Sequence, residues 1–295
     1  MLIEDSKTDA VLIAQALTIA AKSSYQVKMV ENISAALRAL GEEKFDVILL
    51  DLSLSDTTGF NGLLSIQNMA PKLPLVILTA YADEEAALKA VEHGAQDYLF
   101  KDKVSGYTIQ RAMQYAIKRK QFEETLITRA NFDYLTGLVN RNLLENRLEM
   151  ALARSKRSGD GIGVFFLDLD RFKQVNDSFG HPAGDLLLKE VAERLKQSFR
   201  TYDTAARFGG DEFALLIEDI KQASDCTIIA EKIIQKISEP FIINNKQANV
   251  GVSIGIATCL PGENFTREDL MQKADQAMYR AKLVKDSAYR FYTQE

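Results

Sequence analysis

Ala205-Ala206-Arg207-Phe208-Gly209-Gly210-Asp211-Glu212-Phe213-Ala214-Leu215-Leu216-Ile217 reads as two apolar strands folded about a Gly-Gly turn. Glycine at both turn positions suits the positive φ that type I′ and II′ hairpins require. Asp211 and Glu212 therefore stand directly after a tight turn. Upstream, Phe165-Phe166-Leu167-Asp168-Leu169-Asp170 is an apolar run ending in two alternating acids. Side chains alternate faces along a strand, so Asp168 and Asp170 project to the same side. With the hairpin laid beside that strand, three or four carboxylates converge, and hard-oxygen clusters of this kind hold Mg²⁺. The pentapeptide alone also suits a turn between solvated acids, so its flanks have to decide.

The chain has 295 residues, enough for roughly two domains with separate cores. Its 46% hydrophobic and 26% charged content is that of a globular protein in water. A formal charge of −5 disfavours a nucleic-acid-binding output. Lys118-Arg119-Lys120 is answered by Glu123-Glu124 at helical spacing and reads as a solvated face. Cys226 and Cys259 lack metal-ligand spacing and fit a reducing cytosol. No stretch reads as a signal peptide, and the apolar run Ala10–Ala21 is too short to span a bilayer. The expectation is a cytoplasmic chain that engages neither membrane nor nucleic acid.

In the first third, short apolar strands (Met1–Ile3, Val27–Val30, Val47–Leu50, Leu75–Leu78, Tyr98–Phe100) alternate with helical patterns. The helices are expected over Val11–Ala21, Ile33–Leu40, Gly62–Met69, Glu84–His93 and from Ile109 onward. Such alternation predicts a doubly wound five-stranded parallel sheet, an α/β fold whose ligands bind beyond the carboxyl ends of the strands. Glu4, Asp5, Asp51, Thr79 and Lys101 fall at those ends. Acids, a hydroxyl and an ammonium gathered there make a Mg²⁺-assisted phosphate site, although each alone could be a solvated strand end or, at Asp5-Ser6, a helix cap.

Leu2-Ile3-Glu4-Asp5-Ser6, Leu49-Leu50-Asp51-Leu52-Ser53-Leu54-Ser55-Asp56, Leu78-Thr79-Ala80 and Asp97-Tyr98-Leu99-Phe100-Lys101 make residues 1–117 resemble the receiver domain of two-component response regulators. The resemblance implies that Asp51 accepts phosphate from a cognate histidine kinase. Glu4, Asp5, Asp51 and the Ser53 carbonyl would hold Mg²⁺, Thr79 and Lys101 would contact the phosphoryl group, and Tyr98 would rotate on activation. Asp102 replaces the family's usual proline after the lysine, and three residues precede Glu4 where a strand usually has about five or six.

Residues 118–130 are expected to be a helical linker continuous with the last receiver helix. One seam runs through Ile109, Met113, Ala116, Lys120, Glu123, Ile127 and Ala130, and a second strip has Phe122 and Leu126. The pattern fits a dimeric stalk, interrupted by Lys120 and Glu123, or a surface helix of a monomer.

From residue 131 to 295, helices are expected over Leu143–Leu152, Gly184–Phe199, Cys226–Ile237 and Asp269–Val284, with strands over Ile162–Asp170 and Val250–Thr258 flanking the hairpin. Strand, helix, hairpin, helix, strand is the α+β ferredoxin-like order, expected here with helices on one face of an antiparallel sheet. No Walker-type motif occurs, so phosphates would meet the loop Arg171-Phe172-Lys173 and the metal-bearing acids.

Asp133-Tyr134-Leu135-Thr136-Gly137-Leu138-Val139-Asn140-Arg141, the run Asp168–Asp177, Gly180-His181, Gly184-Asp185, Arg207 with the pentapeptide, and Ala274–Lys282 make this half resemble the GGDEF diguanylate cyclases. That family, of palm-type nucleotidyl cyclase fold, joins two GTP into cyclic di-GMP and releases two pyrophosphates. It works as a homodimer, because each subunit brings one GTP. The resemblance implies that Asp168, the Leu169 carbonyl, Asp211 and Glu212 bind Mg²⁺ or Mn²⁺. Asp211 or Glu212 would help deprotonate the attacking 3′-hydroxyl, while Lys173 and Arg207 neutralise the transferring phosphate. Asn176 and Asp185 would read guanine with His181 nearby, and Phe172, Lys173 and Lys282 would complete the substrate site. Where the family continues Gly-Arg-Asn after the last motif, this chain has Lys285-Asp286-Ser287. Arg200-Thr201-Tyr202-Asp203 matches the family's R-x-x-D site for cyclic di-GMP as product inhibitor, and equally fits a helix-end ion pair. A catalytically impaired relative that binds cyclic di-GMP or a protein partner is the alternative outcome.

Overall fold

The computed structural model describes residues 1–20, 25–57, 60–80, 84–200, 202–284 and 287–293. The chain divides into two compact units, Met1–Ile127 and Thr128–Glu295.

The first unit has five parallel strands, β1 (Leu2–Ile3), β2 (Met29–Val30), β3 (Ile48–Asp51), β4 (Leu75–Thr79) and β5 (Asp97–Phe100), in the order β2-β1-β3-β4-β5. Short as it is, β1 is a central strand, because Leu2 N bonds Lys28 O at 2.9 Å and Leu49 N bonds Met1 O at 2.9 Å. Helices α1 (Lys7–Ala20), α2 (Ile33–Glu42), α3 (Asn61–Met69), α4 (Glu84–Glu92) and all but the last turn of α5 (Gly106–Asn131) complete the unit. Alternation along the strands serves two cores. Ile3, Leu50 and Ile77 face α2 and α3, whereas Leu2, Leu49 and Leu78 face α1 and α5. The central strands β1, β3 and β4 are thus covered on both sides, as their apolar runs require.

In α5 the buried residues are Ile109, Ala112, Met113 and Ala116, which pack into the second of those cores. The first half of the expected seam is therefore occupied within the unit. The exposed strip is Phe122, Leu126 and Ile127, at 66%, 66% and 61% exposure.

In the second unit, β6 (Val139–Asn140), α6 (Arg141–Ser158), β7 (Gly161–Asp170), α7 (Phe172–Phe179), α8 (His181–Lys196), β8 (Thr204–Gly209) and β9 (Glu212–Ile220) come first. They are followed by α9 (Ala223–Ser238), β10 (Phe241–Ile243), β11 (Lys246–Ala248), β12 (Gly251–Cys259), α10 (Arg267–Lys282) and β13 (Ala288–Phe291). The main sheet runs β13-β12-β7-β9-β8-β6, with the β7, β9, β8 and β12 pairings antiparallel.

Helices cover both faces of this sheet, not one. α8 and α9 pack Leu187, Val191, Ala230 and Ile233 on Phe165, Leu167, Phe213 and Leu215. On the other side, α6 and α10 pack Leu148, Leu270 and Ala274 on Val164, Phe166, Ala214 and Leu216. The cause lies in β7, where inward and outward positions alike are apolar. Gly255 lets α10 come this close, since a Cβ there would lie 2.0 Å from Ala274 O. Phe165 and Phe213 are fully buried, and truncating either to alanine costs about 3–5 kcal/mol.

Two further differences from the sequence expectation bear on function. The segment expected as a loop at Arg171 opens a helix at once: Arg171 adopts φ 68° and α7 begins at Phe172. Gly180, at φ 84°, then breaks α7 from α8, which starts at His181 ahead of Pro182.

Candidate functional site

At the carboxyl edge of the parallel sheet, Glu4, Asp5 and Asp51 bring one carboxylate oxygen each to within 4.8 Å of one another. Glu4 and Asp51 are buried, and Lys101 Nζ lies 2.7 Å from Glu4 Oε2 and 2.8 Å from Asp51 Oδ2. Burial pushes the Glu4 carboxyl above its ordinary value despite the hydrogen bond from Lys101. Burial alone would lower the Lys101 ammonium, but its bonds to Asp51 and Glu4 hold it above its usual value. Ser53 donates its amide to Asp51 Oδ1 at 3.1 Å, and Ser55 donates to Asp5 Oδ2 at 3.1 Å, so the loop after β3 fixes both acids. Thr79 is fully buried at the end of β4. Half-buried Tyr98 stands edge-on to Phe100, with ring centroids 5.5 Å apart.

In the second unit, register places Asp168 of β7 opposite Glu212 of β9 and opposite Ser253 of β12. Leu169 N bonds Asp211 O at 3.3 Å, which ties the turn residue to the end of β7. The four acids do not all converge. Asp170 Oδ1 accepts from Ser253 Oγ at 2.7 Å and is drawn to β12. Among the described residues the cluster within 4.8 Å is the Glu4 group, not Asp168 with Asp211 and Glu212. Lys282, in the last turn of α10, holds Asp168 Oδ2 at 2.6 Å. Burial, with the charges of Asp211 and Glu212, pushes the Asp168 carboxyl up against the pull of Lys282. Burial lowers and the same three acids raise the Lys282 ammonium, leaving it above its ordinary value. Two aspartates and the Leu169 carbonyl are hard-oxygen donors in a field that favours a cation, so the residues present fit a divalent metal.

Lys173 is exposed in the first turn of α7, where amide groups without helical partners point outward. Asn176, later in α7, leans over α8: a Cβ at Gly184 would meet Asn176 Oδ1 at 2.0 Å and Phe172 Cζ at 3.2 Å. Asn176, Phe172 and Gly184 therefore meet; His181 stands exposed in the first turn of α8 and Asp185 exposed just beyond it.

Arg200 and Asp203 meet through the backbone. Asp203 is buried and accepts from Arg200 N at 2.9 Å and Glu218 N at 3.2 Å. Burial pushes its carboxyl up. The Arg200 guanidinium donates to the Tyr202 hydroxyl, with its carbon 5.7 Å from that ring's centroid. Arg200 and Asp203 line a cavity of about 380 Å³ with Ile228 and Lys232. Lys285 and Asp286, the departure after the last motif, lie outside the described residues.

Arg207 is engaged more fully than its sequence position suggests. Its Nη2 donates to Gly210 O at 2.7 Å, and its Nη1 donates to both Asp133 oxygens at 3.2 Å. Asp133 in turn accepts from Thr136 N at 2.9 Å and Thr136 Oγ1 at 2.6 Å. Burial works against the Asp133 carboxylate, but Thr136 and Arg207 outweigh it and hold its carboxyl below the usual range. The sequence places Asp133 at the head of a motif but gives it no partner. The Asp-x-x-Thr spacing signals a local turn, but its long-range partner Arg207 has no sequence signal.

A phosphate-type acidic site on a doubly wound sheet, and a second fold with a Gly-Gly hairpin beside a metal-fitting strand, define the class: a receiver joined to a nucleotidyl cyclase domain. The family described as Diguanylate cyclase, GGDEF domain matches residues 130–287, and Response regulator receiver domain matches residues 1–113. The chain belongs to the GGDEF diguanylate cyclase family and carries a receiver domain. It is 48% identical over 167 residues to the bifunctional diguanylate cyclase/cyclic di-GMP phosphodiesterase MucR of Pseudomonas aeruginosa, covering 57% of this chain and 24% of MucR. It is 31% identical over 249 residues to the response regulator PleD of Caulobacter vibrioides, covering 80% of this chain and 54% of PleD. The chain thus spans a quarter to a half of the length of these relatives. The solved coiled coil and GGDEF domain of DgcB from Caulobacter crescentus, in complex with c-di-GMP, superposes with a TM-score of 0.55 at 26% identity, covering 63% of this chain and 97% of that one. No helix among the described residues is long and apolar enough to cross a membrane.

Proposed function

We propose that this chain is a diguanylate cyclase controlled by phosphorylation of its receiver, active as a homodimer and inhibited by its product. The observation that carries the reading is the register of Asp168 against Glu212, with Asp211 tied to the same strand end and Asn176 folded over Gly184 nearby. In each half-reaction Asp211 or Glu212 takes the proton from a 3′-hydroxyl, the 3′-oxygen bonds to the α-phosphorus of the facing GTP, and the bond to pyrophosphate breaks. Two such transfers close the ring, so two subunits must face each other. Lys173 and Lys282 neutralise the phosphates, since phosphoryl transfer depends on positioning and electrostatics. Asn176 and Asp185 read the guanine edge, to which a carboxylate can accept from N1–H and the amine. Arg207 holds the Gly209-Gly210 turn through Gly210 O and Asp133. Mg²⁺ held by Asp168, Leu169 and Asp211 would offset phosphate charge and ease loss of the hydroxyl proton.

Residues 1–117 are the receiver, 118–130 the connecting helix and 131–295 the cyclase in this reading. A kinase phosphorylates Asp51, with Glu4 and Asp5 holding Mg²⁺ and Thr79, Lys101 and Tyr98 responding. The exposed strip Phe122, Leu126 and Ile127 suits pairing with a second copy. Cyclic di-GMP binding at Arg200 and Asp203 supplies feedback. A cytoplasmic location goes with this reading, since its GTP substrate is a cytoplasmic nucleotide.

Incubation with GTP and Mg²⁺ yields cyclic di-GMP, and Asp211→Ala abolishes it. Arg200→Ala with Asp203→Ala stays active but resists added product. Folded protein that binds cyclic di-GMP yet makes none is instead an effector.

A further inference from the structure

Lys282 stands between the acids of the cyclase unit and the phosphates of its substrate. It contacts an acid assigned to the metal and, in the reading above, belongs to the phosphates. Its ammonium lies 2.6 Å from Asp168 Oδ2 and feels Asp211 and Glu212 as well. The partners differ in freedom: the Asp168 side chain is 8% exposed within the sheet, whereas the Lys282 side chain is 41% exposed. Its place in the last turn of α10 is also where the helix dipole favours a cation. A carboxylate oxygen saturated by an ammonium is a poor ligand for a second cation. The three acids do not gather within 4.8 Å while Asp168 is held this way.

We propose that Lys282 couples metal loading to nucleotide binding: it is the resident counter-ion of Asp168, and nucleotide phosphates draw it off so that a divalent cation gains full hold of the site. The inference rests on the reading that Asp168, Leu169 and Asp211 hold the metal. Metal alone must expel the ammonium toward Asp211 and Glu212, acids the metal itself draws on, with no anion left over among them to receive it. Metal with nucleotide supplies that anion, because Lys282 exchanges one oxyanion for another. The buried carboxylate stays in place and the long, exposed side chain moves. By linkage, metal must then tighten nucleotide binding by the same factor that nucleotide tightens metal. The nucleotide-free chain is thereby kept from loading a cation that has no substrate to act on.

The test is Mn²⁺ binding, followed by the spin-resonance signal of the free ion. It uses the full chain carrying Asp5→Asn and Asp51→Asn, so that the receiver acids do not contribute. Without nucleotide, Lys282→Met is expected to bind Mn²⁺ about tenfold tighter than its parent, equivalent to about 1.4 kcal/mol. A GTP analogue with a methylene between the α and β phosphorus tightens Mn²⁺ binding in the parent, by a factor about tenfold larger than in Lys282→Met. Lys282→Gln repeats both results if the methionine variant folds poorly. Unchanged nucleotide-free affinity, or an equal coupling factor in both proteins, overturns the proposal. An Asp211→Asn arm separates the two layers. If it leaves Mn²⁺ binding intact, the metal-site reading falls and the proposal with it. If it weakens binding while Lys282→Met changes nothing, the proposal alone falls.

Discussion

The two acidic sites are built alike and held differently. In the receiver, acids at the ends of neighbouring parallel strands gather within 4.8 Å, and Lys101 sits between Glu4 and Asp51 with 19% of its side chain exposed. In the cyclase unit the acids come from facing antiparallel strands and a turn, and Lys282 reaches one of them with 41% exposure. Parallel strands end together, so their terminal residues assemble a site through the fold alone. Here the acids come from just after a hairpin turn and from the strand beside it, and closing the cluster is left to what binds. The receiver lysine is therefore fixed between its two acids, whereas the cyclase lysine, in the proposal above, exchanges partners.

The largest expected effect lies in that contrast. Lys101→Met leaves two buried carboxylates without their cation and should cost about 3 kcal/mol at pH 7. Lys282→Met should cost less, about 1 kcal/mol, because it strips the cation from one carboxylate and not two, and the Lys282 side chain is itself 41% exposed. The Glu4 carboxyl lies above its ordinary 4.5 in the folded chain. The folded state thus keeps that proton longer, and stability falls as pH rises through the raised value. The Lys101→Met deficit should accordingly shrink on acidification toward that range, as urea titrations at several pH values would reveal. Equal costs for the two lysines would erase the distinction drawn between the sites.

A smaller effect belongs to Asp133→Asn, which removes the charge that Arg207 and Thr136 hold and should cost about 1–2 kcal/mol at neutral pH. Because the Asp133 carboxyl lies below its ordinary 3.8, its contribution is present above that value and disappears as pH falls through the depressed one. Melting curves of wild type and variant should therefore converge in acid. A gap that persists there would mean the loss is one of packing, not of charge.

Smaller again, Gly184→Ala places a methyl group where Asn176 Oδ1 lies 2.0 Å away. Asn176 must swing out, so KM for GTP should rise about tenfold (about 1.4 kcal/mol) with kcat little changed. A fall in kcat at constant KM would instead mean that Asn176 acts on the reacting atoms.

Legibility in the sequence followed the same divide. Glu4, Asp51, Thr79 and Lys101 were readable because parallel strands end on one edge and the apolar runs mark their ends. Asp168 and Glu212 were readable from period-two alternation around a Gly-Gly turn. Helix α7 was not, since Arg171 enters it through a left-handed conformation that non-glycine residues rarely adopt. The two-sided cover of the second sheet was written in β7, where Val164 and Phe166 are as apolar as Phe165 and Leu167. An order of elements does not say which face each helix takes. The Asp133–Arg207 pair and the Lys282–Asp168 pair join distant segments, and only the folded chain brings them together.

Receiver control of a cyclase is tested most directly by cyclic di-GMP turnover on GTP and Mg²⁺, measured with and without beryllofluoride as a phosphate mimic at Asp51. Product should form in both conditions, faster with the mimic, and Asp51→Asn should remove the increase while leaving the basal rate. Folded protein that forms no cyclic di-GMP in either condition, or forms it at one rate regardless of the mimic, would contradict a cyclase governed by its receiver.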